Sequence, residues 1–265
     1  MVLSELIEKL KILKEKHGDL KILVWTSFRQ GNNMSPTMSH PLIIALGGLK
    51  RSGKDTFAGI LAAAASTHRL TPHRIAFAEP LRRAAAAAYD VPVAEFSGDQ
   101  IKDVIHPDWG ITRRQMLINV GGAMRGVDAD HWTKLLVRGV DSFETAARLY
   151  TPAQKPLHIV TDLRRPNEAK ALLGLGAPLV LVVRVGVLWD GHETEAMAGM
   201  ATIGWHHGRR AARLGFPPPT TDPYRLVVEN AFPIEGDASM IPAATAAFEK
   251  VANQLIDAVL STARG

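Results

Sequence analysis

A three-layer α/β fold with a mainly parallel sheet is what the 265-residue chain predicts, on three observations. Several apolar runs, among them 42–46 and 177–185, are rich in Val, Ile and Leu and lack polar alternation, as strands covered on both faces do. These runs take turns along the chain with segments of helical periodicity. The first run ends in glycines, LIIALGGLKRSGKDT at 42–56, and opens onto a helix candidate at 57–66.

Before that passage, Leu3, Leu6, Ile7, Leu10 and Leu13 fall at helical spacing among lysines and glutamates. Gly18 breaks the pattern and 20–25 reads as a strand, so 1–25 is a helix-strand appendage. Residues 26–41 are polar, contain Gly and Pro, lack a period and read as a linker. From 42 to 265 the main domain alternates: helix 57–66, strand 73–78, then an alanine-rich helix at 81–89. Pro92, Gly98, Pro107 and Gly110 make 90–111 irregular. Thr112 opens a helix to about 120 and Asp128 another to about 149, flanking a turn at Gly121 and Gly122. Strand 157–161, helix 166–173 and strand 177–185 follow. Residues 190–224 interrupt the rhythm; 225–229 resume it as a last strand, and 238–260 carry the closing helix.

Composition narrows the function classes. There is no cysteine, which excludes disulfides, thiolate catalysis and Cys-ligated metal. The charged residues among 5–16 deny the N-terminus the uninterrupted apolar core of a signal peptide, and no stretch is long and uncharged enough to cross a bilayer. A water-soluble protein is expected, and a cytoplasmic one is compatible with the missing cysteines. The formal charge of +5 and pI of about 9.6 suit an anionic ligand, nucleotide or nucleic acid, without requiring one.

From Gly48 the chain reads Gly, four residues, Gly53, Lys54, the phosphate-binding P-loop pattern in its expected strand-to-helix setting. Such a turn aims backbone N–H groups inward at the positive end of a helix dipole and so binds phosphate oxygens. Lys54 adds a point charge near the β- and γ-phosphates. Asp55 stands where Ser or Thr usually supplies a hydroxyl to Mg²⁺, and Thr56, one residue on, is turned by roughly 100° around the helix. Asp55 could hold magnesium through water or cap the helix as a carboxylate.

Three more clusters fall where ligands of open α/β sheets bind, beyond the carboxyl ends of strands. Arg113, Arg114 and Gln115, with Arg125 further on, offer planar forks to a phosphate; a solvated helix face is the alternative. Asp162, Leu163, Arg164 and Arg165 follow the third main strand, a carboxylate for Mg²⁺ water or a sugar hydroxyl and a guanidinium for a phosphate. Asp162 is alternatively a cap neighbour of the next helix. In the interruption, His192, Glu193 and Glu195 lack the partners of a zinc site, whereas 205–213, with Arg209, Arg210 and Arg213, reads as a mobile basic lid or a solvated surface loop.

The order of these motifs resembles that of phage-type deoxynucleoside monophosphate kinases: Gly48 to Thr56, Phe77-Ala78-Glu79-Pro80-Leu81, Arg114-Gln115 through Gly121-Gly122 to Arg125 and Trp132, Thr161 to Arg164 with Asn167-Glu168-Ala169, and His192 to Glu195. The likeness covers about 42–195, with a weaker echo at Val228-Glu229-Asn230 and in the last helix. It implies a P-loop kinase fold and transfer of the γ-phosphoryl group of ATP, with magnesium, to a deoxynucleoside 5′-monophosphate. Asp55 is similar to that family's own loop. Gly48, Lys50, Arg51, Ser52, Gly53, Lys54, Asp55 and Thr56 are the implied ATP contacts, and Lys54, Arg51, Asp162 and Arg164 the implied catalytic set. Glu79, Arg114, Gln115, Arg125, Trp132, Asp162 and Arg164 would face the acceptor, and Asp55, Thr56 and Asp162 the magnesium. His192, Glu195 and the three lid arginines would lie over the triphosphate. Departures are Glu79 and Arg165, where Asp and an aromatic residue are expected, and Gly122 in place of Thr. A kinase of another small phosphorylated metabolite, a kinase of a modified base within DNA and a nucleotide-binding module without catalysis are the competing readings. A homodimer and residence in a host cytoplasm are compatible expectations, and neither membrane nor nucleic acid is required.

Overall fold

The structure is a computed structural model describing residues 41–151, 153–191, 193–213, 224, 226–230 and 241–262, with only the backbone of Asp99 and of 208–213. The expected appendage, all of the linker but Pro41, His192 and Arg225 lie outside the described residues. Two compact units are formed, one running to Arg74 and resuming at Ala146, the other spanning Ile75–Thr145.

The first unit is built on a five-stranded sheet of β1 (Leu42–Gly47), β2 (Leu70–Ile75), β3 (Lys155–Val160), β4 (Leu179–Arg184) and β5 (Leu226–Asn230), in the order β2-β3-β1-β4-β5. Strand β1 pairs in parallel with β3, Leu42 opposite Leu157, and with β4, Ala45 opposite Leu179; β4 pairs in parallel with β5. Leu42, Ile44 and Leu46 of β1, with Leu157, Ile159, Val180 and Val182, pack on α1 (Lys54–Thr67) and on the last helix, Ile241–Thr262. The intervening residues Ile43, Ala45, Val160, Leu181 and Val183 are buried too, so both faces are covered, as the unbroken apolar runs require. Phe57 meets Phe248 edge to face with ring centroids 5.0 Å apart, locking α1 to the last helix. Such a pair contributes about 0.5–1.5 kcal/mol beyond its buried area.

The chain leaves β1 toward the β2 side of the sheet and leaves β3 through Pro166–Gly174 toward the β4 side. Right-handed crossovers in opposite directions put their helices on opposite faces, so a crevice opens between the carboxyl ends of the adjacent strands β1 and β3. The glycine loop and the segment 162–165 flank that crevice.

The second unit comprises α2 (Ala78–Tyr89), a 3₁₀ turn at Val93–Phe96, α3 (Asp99–Lys102), α4 (Arg113–Val127) and the first part of α5 (His131–Tyr150). Ala85, Ala86, Val91, Phe96 and Met116 form its core. Thr112 caps α4, its hydroxyl accepting from the amide of Gln115 at 3.1 Å.

Three sequence expectations are corrected. Helix α4 runs straight through Gly121 and Gly122, where a turn was expected. Each interior glycine costs about 1 kcal/mol against alanine, but a Cβ at Gly121 would come 3.4 Å from Leu81 and 3.2 Å from the Arg125 guanidinium. Gly121 thus brings α4 close to α2. Strand β2 lies at 70–75, not 73–78, because Leu70 is buried at one end and α2 claims Ala78 at the other; Pro80 is tolerated in the first turn of α2. Finally, the interruption at 190–224 contains α7 (Ala196–Arg213), with Pro166–Gly174 as α6 and Ile241–Thr262 as α8. Ala198, Ala201, Thr202 and Trp205 are its buried face, an i, i+3, i+4, i+7 pattern hidden among small and polar residues. The lid candidates at 205–213 therefore sit on a helix, not on an irregular loop.

Candidate functional site

The loop at the carboxyl end of β1 is shaped by backbone geometry. Gly53, at φ 90°, is the residue before α1, and a Cβ there would fall 2.1 Å from Nδ2 of Asn230. A Cβ at Gly48 would sit 2.5 Å from the carbonyl oxygen of Val182 and 2.6 Å from the Ser52 hydroxyl. Both glycines are thus required by close approach, and Gly53 by its left-handed backbone as well. Arg51 adopts φ 66° without being glycine, a conformation that costs roughly 1–2 kcal/mol. Its carbonyl accepts from Nη1 of Arg184 at 3.5 Å, while the Ser52 carbonyl accepts from the buried amide of Asn230 at 2.8 Å. Side chains from the ends of β4 and β5 therefore hold the loop from behind.

No side chain caps α1, and its first-turn amides have no carbonyl four residues back. Lys54, only 13% exposed, lies at this positive helix end with Nζ 3.8 Å from the Asp55 carboxylate. Asp55 points outward and does not cap, so the capping role open to it in the sequence is not realised. The Ser52 hydroxyl is buried and finds no partner among the described residues. A strand-to-helix turn with uncapped amides, a lysine and a buried unsatisfied hydroxyl suits an oxygen-rich anion such as a polyphosphate.

Across the crevice, Leu163 is buried and its amide donates to the Leu46 carbonyl at 3.2 Å, tying segment 162–165 to the end of β1. The amides of Arg164 and Arg165 both donate to Oε2 of Glu168, each at 2.9 Å. Arg164 is exposed, with Nη1 3.4 Å from the Thr194 hydroxyl. Glu195, in the adjoining 3₁₀ turn, accepts from the Lys50 amide at 3.2 Å. Glu168 is buried, and burial pushes its carboxyl up to about 7, with the charge of Asp162 adding to the rise against the two amide bonds. Tyr224 packs against Gly47, and burial, then the charge of Glu168, raises its phenol above the usual value.

Residues expected to meet an acceptor in the second unit have local partners. Arg114 makes a bidentate pair with Asp103, at 2.5 and 2.9 Å. Buried Arg113 is held by Glu95, its Nε donating at 2.7 Å, and by the Val104 carbonyl. Glu79 lies 3.4 Å from Arg82 and 3.9 Å from Arg83. The Gln115 amide bonds Asn119. Trp132 is buried and donates its indole N–H to the Gly121 carbonyl at 3.3 Å. Arg125 is half-buried, its guanidinium lying over Gly121.

Among the described residues no group of three or more His, Asp or Glu could hold a metal ion. Asp55 and Thr56 are exposed on the first turn of α1 and Asp162 is half-buried at the end of β3. One or two such oxygens fit magnesium, which keeps several waters and shares substrate phosphates. No helix among the described residues is long and apolar enough to cross a membrane.

Sequence reading passed over Arg184 and Tyr224, and saw Asn230 and Glu168 only as letters of motifs. Arg184, Asn230 and Tyr224 act through partners far along the chain and leave no local pattern, whereas Glu168 is a local capping signal whose burial only the folded chain shows.

No protein-family model matches the sequence, and no curated protein does. Among solved structures the chain is similar to a protein provisionally assigned as a kinase from Chloroflexus aurantiacus J-10-fl, at 16% identity over 83% of this chain and 99% of that one, with a TM-score of 0.35. It is also similar to a gluconokinase from Sinorhizobium meliloti 1021, at 14% identity over 83% of this chain and 98% of that one, with a TM-score of 0.29. The chain's own strand order makes it a parallel α/β protein with a glycine loop at the end of its central strand.

Proposed function

We propose that the chain is an ATP-dependent kinase of deoxynucleoside 5′-monophosphates. The observation that carries the proposal is the uncapped glycine loop with Lys54, facing the Asp162–Arg164 segment across the β1–β3 crevice of one unit. Loop amides and Lys54 would bind the β- and γ-phosphates, and Arg51 would add charge beside them. Arg164 is assigned to the acceptor phosphate on the strength of the motif order. Asp55, Thr56 and Asp162 are the oxygens we assign to magnesium through water, which neutralises phosphate charge when bound. Phosphoryl transfer depends on alignment and charge stabilisation, and the acceptor is already an anion, so no protein base is assigned.

A coupled assay of ATP consumption against dAMP, dCMP, dGMP, dTMP and their modified forms tests this reading. At least one should be converted to its diphosphate, in the cytoplasm if the reading extends to the cell, by a monomer or homodimer. ATP binding without consumption beside every monophosphate would leave a binding module, and label appearing only in polymeric DNA or in another small metabolite would move the acceptor.

A further inference from the structure

We propose that Glu168 is a positioning residue that sets the acceptor-side segment, holding successive amides so that Asp162 and Arg164 are presented at the crevice. The inference rests on the kinase reading for what is presented, but the holding itself rests on geometry alone.

Segment 162–165 has no regular structure, yet three consecutive amides are tied down: Leu163 to Leu46, and both Arg164 and Arg165 to one oxygen of Glu168. Glu168 lies in the first turn of α6, whose start at Pro166 fixes the entry of the chain. An ordinary capping box satisfies the single N-cap amide. Here the carboxylate takes the Arg164 amide as well, one residue outside the helix and next to Leu163. The position is an unfavourable one for a carboxylate. Glu168 is buried, has Asp162 as a like-charged neighbour and influences the buried Tyr224. A residue serving only to start a helix would be as effective in water. Two adjacent amides donating to one carboxyl oxygen fix the direction in which Arg164 leaves the backbone. Arg164 itself stays exposed, with the Thr194 hydroxyl near its guanidinium.

The experiment compares full-length parent, Glu168→Gln and Glu168→Ala. The glutamine carbonyl can still accept from both amides, whereas alanine cannot. Amide hydrogen exchange in the peptide containing 163–165 should quicken by roughly tenfold in Glu168→Ala and stay near the parent in Glu168→Gln. Equilibrium titrations with each monophosphate and, separately, with a non-hydrolysable ATP analogue should show acceptor affinity falling by roughly tenfold in Glu168→Ala. ATP-analogue affinity should remain within about twofold, with acceptor binding restored in Glu168→Gln. Unchanged exchange in Glu168→Ala overturns the proposal, as does equal weakening of both ligands. If the parent binds ATP but no monophosphate, the acceptor assignment fails, while exchange at 163–165 still decides whether Glu168 holds the segment.

Discussion

The glycine loop and the helical unit at Ile75–Thr145 both bring positive charge to this protein, by different means. In the loop the positive end is made of backbone: uncapped amides, Gly53 at φ 90° and Arg51 at φ 66°, braced by Asn230 and Arg184. In the helical unit it is made of side chains, and several arginines there meet a nearby carboxylate: Arg113 with Glu95, Arg114 with Asp103, Arg82 with Glu79. An acid can satisfy either kind of group, and Glu195 already takes the Lys50 amide, but the first turn of α1 has no side-chain cap whereas these guanidinia are paired with carboxylates. A cluster of arginines in a sequence is therefore weaker evidence of an anion site than a run of glycines at the right spacing.

That contrast predicts where substitutions should bite. Lys54→Ala should lower turnover by roughly two to three orders of magnitude with an unchanged thermal melt; parental rates of dNMP phosphorylation would defeat the mechanism. Next in size is Arg113→Met, which strands Glu95 beside a buried site and should destabilise the protein by about 3–5 kcal/mol in urea unfolding. A change below about 1 kcal/mol would show this pair to behave like a surface bridge. Gly53→Ala forces a Cβ onto Asn230 in a left-handed backbone and should lose about 1–3 kcal/mol, with ATP-analogue affinity falling alongside. Retained affinity would mean that the loop geometry is less demanding than its backbone angles indicate.

A smaller effect should appear as pH dependence. His73 Nδ1 lies 2.9 Å from His158 Nδ1, and burial, then the charge of His158, lowers the His73 pKa from 6.5 to about 4. Between those values the unfolded chain binds the extra proton, so stability falls as pH drops from 6.5 toward 4. Glu168 works the other way: raised from 4.5 to about 7, it lets the folded state hold the extra proton, and stability falls as pH rises through that window. The parent curve should be flatter than that of either variant. Glu168→Gln should expose the acid loss due to His73, and His73→Gln the neutral-side loss due to Glu168, both read from melting temperature against pH. Identical profiles for all three would remove both groups from the account. Smallest of all, Arg114→Ala should change stability by less than about 1 kcal/mol because its pair is exposed. If Arg114 also serves the acceptor phosphate, Asp103→Asn should release it and lower the acceptor KM.

Much of the frame was legible beforehand because it is written in local pattern. Unbroken apolar runs mark β1 and β4, the short Leu157–Val160 stretch marks β3 despite His158, and the Gly48–Lys54 spacing marks the loop within a residue of its place. Helix α7 was not legible: its buried face is made of Ala198, Ala201, Thr202 and Trp205, and the basic residues around it drew the eye instead. The Gly121-Gly122 pair misled for a related reason. Glycine reads as a break in isolation, and only the neighbouring Leu81 and Arg125 explain why the helix accepts Gly121; nothing in the structure calls for glycine at Gly122.

Residue order alone therefore determined which strand carries the glycine loop and which lysine stands at its end, since φ preferences and the strand-to-helix switch act over a few residues. Tertiary structure alone decided that Asn230 and Arg184 brace that turn, that Glu168 holds the opposite segment, and that Arg114 is paired with Asp103. Those are contacts between distant positions or effects of burial, and hydrogen-bond satisfaction and desolvation take their values only once the chain has closed around them.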